Sequence, residues 1–295
     1  MALISLVFCL FVERFLSSFF IFRQYNWFLS YAEFVSRIKN FPILQTHAGI
    51  ALLLIPIPLL TGLVDIILQQ YLLSLEFLFS TVVLLYCFGP VTFYDKVRAL
   101  HDALEKGDDD SAKWCENSIQ NHTVDNHAGT GTANSHILPD LFSIANERLL
   151  AVIFWFVILG PMGALLFRLS SQLHGFFSLK LDLQNRVSDQ FLSDLDLWHS
   201  ILNWIPSRLT AMGYVFSGKL MRKSNFPIKS IVFTGNLRFK QTQILLQEIG
   251  SQAAALPTPC PPGDSALINA SLLIIRRNIE LWLASIAIVT LIGWI

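Results

Sequence analysis

Long apolar runs separated by polar stretches organise this chain, and the runs have the length that a bilayer demands. Crossing roughly 30 Å of hydrocarbon takes about 20 largely apolar residues at 1.5 Å per residue. Residues 45–68 meet that test, with no charge from Asn40 through Val64, and so do residues 71–93, with none from Phe77 through Tyr94. A third run, 149–169, is free of charge from Leu149 to Phe167. A fourth, 276–295, has Arg276 and Arg277 at its head, where long stems can snorkel to the interface, and Trp282 and Trp294 at positions that suit the two interfaces.

Two further segments have the length but carry charge. Residues 3–22 are apolar except for Glu13 and Arg14, and residues 198–217 (WHSILNWIPSRLTAMGYVFS) carry Arg208 and a mid-run Pro206. Loop charge bears on the second, because short loops rich in Lys and Arg stay cytoplasmic. Arg23, Arg37 and Lys39 precede the first run and Lys96 and Arg98 follow the second, which places both connections inside. With only four crossings, Lys219, Arg222, Lys223, Lys229, Arg238, Lys240, Arg276 and Arg277 would all lie outside. A crossing near Pro206 returns them to the cytoplasm, so a five- or six-span topology is preferred.

The pattern thus predicts an all-α fold: a polytopic integral membrane helical bundle with about four to six membrane helices and small cytoplasmic helical segments, in one domain over residues 1–295. Polar loops are expected over 94–148 and 218–275. The first begins with helical spacing (Tyr94, Val97, Leu100, Leu104) and passes through EKGDDD into NHTVDNHAGTGTANSHILPD. The second contains one amphipathic stretch, FKQTQILLQEIGSQAAAL, before the breaker PTPCPPGD.

Composition agrees with a lipid-facing surface, since 53% of residues are apolar and only 14% charged. A soluble domain carries about a quarter charged. The net charge of zero offers no electrostatic grip on nucleic acid. Cys9, Cys87, Cys115 and Cys260 have no paired spacing, so neither a disulfide framework nor a zinc site is expected. The N-terminal run lacks a basic n-region and a small-x-small cleavage site, and is expected to be retained.

Candidate chemistry is sparse, and no catalytic residue or metal site is assigned. Gly213 to Leu220 imitates GxxxxGK[ST], but Leu220 replaces the hydroxyl and no strand precedes it, so the end of a membrane helix is the preferred reading and nucleotide binding has little support. His122, Asp125, His127 and His136 match no standard zinc spacing, and Asp108 to Asp110 read as a solvated turn. Ligand-binding candidates are the ionisable or helix-breaking residues inside apolar segments: Glu13, Arg14, Asn203, Pro206 and Arg208. Proline frees a backbone carbonyl that must find a donor, and a buried arginine offers five N–H groups; a structural pin would use the same residues.

LNWIPSRLTAMGY, FVERFL, NERLLAVIFWFVILGPMGALLFRL and RRNIELWLASIAIVTLIGWI together resemble the AmpE family of bacterial inner-membrane proteins. The IPxRLTA pattern is also similar to the related CobD/CbiB family of membrane enzymes, which attach aminopropanol to cobyric acid. This chain has FRLSSQLHG where that family has an NTLDSM-like stretch, and no SPNAG-like segment follows the basic region. The AmpE resemblance implies a multi-pass inner-membrane protein that regulates β-lactamase induction as a signal transducer linked to cell-wall recycling. Its implied partners are the lipid bilayer and a membrane or cytoplasmic regulatory protein; the resemblance also suggests nucleotide binding, which the imperfect GxxxxGK does not strengthen, so no cofactor is expected. A CbiB-like ATP-dependent amide-forming enzyme is the alternative, and a transporter, suggested by Pro56, Pro58 and Pro206, is a third class.

Overall fold

A computed structural model describes residues 5–9, 25, 27–28, 30–32, 47–71, 73–88, 93–120, 137–179, 188–218, 238–257 and 265–292. Glu13, Arg14, His122, Asp125, His127, His136, Lys219, Leu220, Cys260 and Trp294 lie outside them. The described residues are almost all helical, as the sequence pattern requires, with no strand among them. The elements are α1 (His47–Leu54), α2 (Pro56–Tyr71), α3 (Leu73–Cys87), α4 (Phe93–Glu105), α5 (Asp109–Gln120), α6 (Ile137–Ala145), a π-helical turn (Asn146–Leu150), α7 (Ala151–Leu179), α8 (Asp189–Ser217), α9 (Phe239–Ala253) and α10 (Ser265–Leu291).

The chain divides into two compact units. Unit 1 comprises Met1–Thr92, Ala151–Leu202 and Val289–Ile295; unit 2 comprises Phe93–Leu150 and Asn203–Ile288. In unit 1, α2 and α3 pack on each other and on α7. Backbone hydrogen bonds from Ile55 to Ala51 and from Leu59 to Ile55 carry the helix past Pro56 and Pro58, so His47–Tyr71 runs as one 25-residue helix. Its outer face is apolar: Leu52, Ile55, Leu59, Leu60, Leu63, Ile66, Ile67 and Tyr71 are all exposed. In unit 2, α9 packs on α6, and Gly250 lies so close to the Phe142 ring that a Cβ there would have no room.

Two helices among the described residues are long and apolar enough to cross a membrane, His47–Tyr71 and Ile137–Phe177, against the four to six expected from the sequence. Ser74–Cys87 is apolar but shorter. Of the remaining expected segments, 198–217 and 276–295 fold within long helices, α8 and α10, with a more polar make-up, and 3–22 lies outside the described residues except for 5–9. Arg276, Arg277 and Glu280 fall inside α10, and α8 starts nine residues before the apolar run, at Asp189. The expected third span is also interrupted: Gly160 has φ 64° and ψ −152°, a conformation closed to residues with a Cβ, and Pro161 follows it.

Candidate functional site

Pro206 sits inside α8, where its missing N–H deprives the carbonyl four residues earlier of a helical donor. That carbonyl is Leu202's, and the Trp155 indole satisfies it, Nε1 to O 2.9 Å. The helix consequently continues through the proline to Ser217. Around and beyond Pro206 the two faces of α8 differ sharply. Ile201, Ile205, Leu209, Met212 and Phe216, three or four residues apart, are exposed. Asn203, Ser207, Thr210 and Tyr214 are buried on the opposite side.

Those buried polar groups join a network within unit 2. Asn146, fully buried at the head of the π-helical turn, donates from Nδ2 to Asn203 Oδ1 at 2.9 Å. The Thr210 hydroxyl donates to Asn146 Oδ1 at 2.8 Å, and Asn278 Nδ2 of α10 donates to the Thr210 carbonyl at 3.2 Å. Tyr214 extends the same face by donating its hydroxyl to the Phe142 carbonyl at 2.9 Å. Gly213 allows the close approach of α10, since a Cβ there would collide with the Asn278 amide. Asn146 is thus the node, using both ends of its amide, and a π-helical turn is a local irregularity that recurs at functional sites.

Charge gathers beside the node. Glu147 and Arg148, the next two residues of the turn, are buried despite their charge. Lys96 of α4 is held down at about 8 by burial, and then by the positive charge of Arg148. Two cations within electrostatic reach of each other suit an anionic group such as a carboxylate or phosphate, while the amide network suits a neutral polar one. Farther along, Asp108 accepts the Ser111 N–H at 3.1 Å as the N-cap of α5, and the Ser111 contacts hold its carboxyl below the usual range. His101, Asp102 and Glu105 bring ligand atoms within 4.8 Å of one another on α4, but both carboxylates are exposed and Asn269 already contacts His101 Nε2 at 2.8 Å.

The sequence candidates divide accordingly. Asn203 enters the network, and Pro206 creates the carbonyl that Trp155 fills. Arg208 is buried too, but it stands about 140° around the helix from Asn203. Its guanidinium carbon lies 5.6 Å from the centroid of the Trp204 ring, one turn back. Glu13 and Arg14 fall outside the described residues. Gly213 to Ser217 are helical, not a phosphate-binding loop. Sequence reasoning passed over Asn146, Trp155, Thr210 and Asn278; the signal available for the first was the polar triplet Asn146-Glu147-Arg148 directly before a charge-free run.

A family model described as "Regulatory signalling modulator protein AmpE" matches residues 1–250. The "Cobalamin biosynthesis protein CobD" of Chromobacterium violaceum is 27% identical over 176 residues, which cover 59% of this chain and 53% of that protein. The chain therefore spans about half the length of that curated relative. No solved structure matches it. The family match covers the π-helical turn, IPSRLTA and α9 as far as Gly250. The chain belongs to the AmpE family of regulatory signalling modulator proteins.

Proposed function

We propose that this protein is a multi-pass regulator in the bacterial inner membrane, coupling the state of cell-wall recycling to β-lactamase induction, with the Asn146 network as the element that reads the signal. The carrying observation is the inverted polarity of α8, with an apolar stripe outward and a hydrogen-bonded polar face inward. Water would penalise that arrangement. Leu52, Ile55, Leu59, Leu60, Leu63, Ile66, Ile67, Leu75, Leu78 and Val82 of unit 1 are each about half exposed. At about 1 kcal/mol forgone per half-exposed side chain they forfeit on the order of 10 kcal/mol, comparable with the whole stability of a domain. A hydrocarbon solvent removes that loss and leaves polar groups to be satisfied internally, as the network does.

The test is genetic. In a host with an inducible β-lactamase, deleting the gene alters induction and the pools of peptidoglycan fragments, and the wild-type chain restores both. A chain with Asn146→Ala that is still membrane-inserted does not restore them. Unchanged induction and unchanged pools after deletion refute the regulatory reading.

The similarity to the CobD protein favours a second reading, an amide-forming enzyme of CbiB type. It requires the purified chain to turn over a cobyrate-like acid with ATP and magnesium, and Arg208→Ala to abolish that turnover. No turnover across a range of acids removes it.

A further inference from the structure

Asp65 is the first charge after the uncharged stretch of α2, and it does not face outward with its neighbours Leu63, Ile66 and Ile67. It is half-buried and turns toward α3 and α7 within unit 1. Ser80 Oγ of α3 donates to Asp65 Oδ1 at 3.4 Å, and Gln69 Nε2, one turn on, donates to Oδ2 at 3.2 Å. The third wall is the break in α7: a Cβ at Gly160 would stand 3.7 Å from Asp65 Oδ2, so the break lies beside the carboxylate. Gly62, one turn before Asp65, is pressed against Met162 just past the break, which holds the two helices together there.

Such a carboxylate is expensive in an apolar helix unless something neutralises it, and among the described residues no side chain hydrogen-bonded to Asp65 carries a positive charge. The groups around it are oxygen-bearing: a carboxylate, a hydroxyl, an amide whose oxygen and nitrogen exchange on a flip, and a helix break at Gly160-Pro161. At that break the Val157 carbonyl has lost its helical donor to proline. Oxygen donors beside an interrupted helix suit a hard cation.

We propose that Asp65, Ser80, Gln69 and the backbone at Gly160 form an exchangeable binding site for a small monovalent cation, a proton or Na⁺. The site belongs to unit 1, makes no use of the Asn146 network, and rests on the membrane reading of α2 alone. Carbonate washing of membranes tests that reading separately.

The site itself is tested with dicyclohexylcarbodiimide, an apolar reagent that adds to protonated carboxyls. The full chain in detergent micelles is labelled between about pH 6 and pH 8, and adducts are mapped by peptide mass spectrometry. The expected adduct lies on the peptide bearing Asp65, falls about tenfold per pH unit once the carboxyl ionises, and is absent from Asp65→Asn. Ser80→Ala, which removes a donor to the charged form, shifts the profile toward higher pH. Slower labelling in NaCl than in choline chloride identifies Na⁺ as the occupant; equal rates identify the proton. No adduct at Asp65 in either salt at any pH, or an adduct that neither pH nor Ser80→Ala changes, overturns the proposal and leaves Asp65 a fixed pin between α2 and α3. Should Asp65→Asn fail to fold, the wild-type and Ser80→Ala profiles still decide.

Discussion

Replacing Trp155 by Phe removes the Nε1–H that holds the Leu202 carbonyl while keeping an aromatic ring in place. Leaving a buried acceptor unpaired costs about 1–3 kcal/mol in water-soluble proteins, but hydrogen bonds within membrane bundles average nearer 0.6 kcal/mol, with a maximum of about 1.7. The carbonyl is orphaned only because residue 206 is proline, so the cost should depend on that residue. In a Pro206→Ala background the new N–H closes the helical bond to Leu202, and Trp155→Phe loses little beyond ring volume. The double-mutant cycle should therefore give a coupling of about 0.5–1.5 kcal/mol. Reversible unfolding of the four proteins in mixed micelles measures it. A Trp155→Phe cost that is the same in both backgrounds, within about 0.3 kcal/mol, refutes the claim that the indole caps the proline's carbonyl.

Asn146→Ala should destabilise more than Asn203→Ala or Thr210→Val, because it breaks two bonds at once, to Asn203 and from Thr210; a loss of about 1–3 kcal/mol in the same unfolding assay is expected. Gly213→Ala should cost about 1–3 kcal/mol by driving its Cβ into Asn278, and Asn278→Ala should rescue most of it; absence of rescue means that α10 does not approach α8 as described. Lys96 binds its proton less tightly folded, at about 8, than unfolded, at 10.5. The unfolded state then holds more protons between those values, so stability rises as pH climbs from about 8 toward 10.5, and Lys96→Met flattens that rise in thermal unfolding against pH.

The long apolar helix His47–Tyr71 was legible because its signal is compositional: no charge falls between Asn40 and Val64, which leaves few alternatives. Pro206 was legible as a residue that frees a carbonyl. Its partner was not, because Trp155 lies 47 positions away and only folding brings it close. The Gly160 break is invisible to hydropathy, which registers leucine and glycine-proline alike as uncharged and carries no information about φ. Asn146 and Asn278 each stand next to charged residues at the edge of an apolar run, where a single amide looks like an interfacial residue. Only the pairings with Asn203 and Thr210 show that they point inward. Gly213 shows the reverse case, a motif-like position whose glycine serves helix contact.

The outward stripe of α8 also sets a thickness. From Ile201 to Phe216 it spans 15 steps, about 22 Å along the helix axis, whereas the hydrocarbon it would face is roughly 30 Å deep. Tilting shortens the projection further, so the mismatch falls on the lipid, which must thin locally at a fraction of a kcal/mol per ångström. In the membrane placement proposed above, one short apolar flank would couple the chain mechanically to its bilayer. Stretching or short-chain lipids would relax the strain around α8, and thick, ordered membrane would increase it, at the helix that carries the Asn203 and Thr210 side chains.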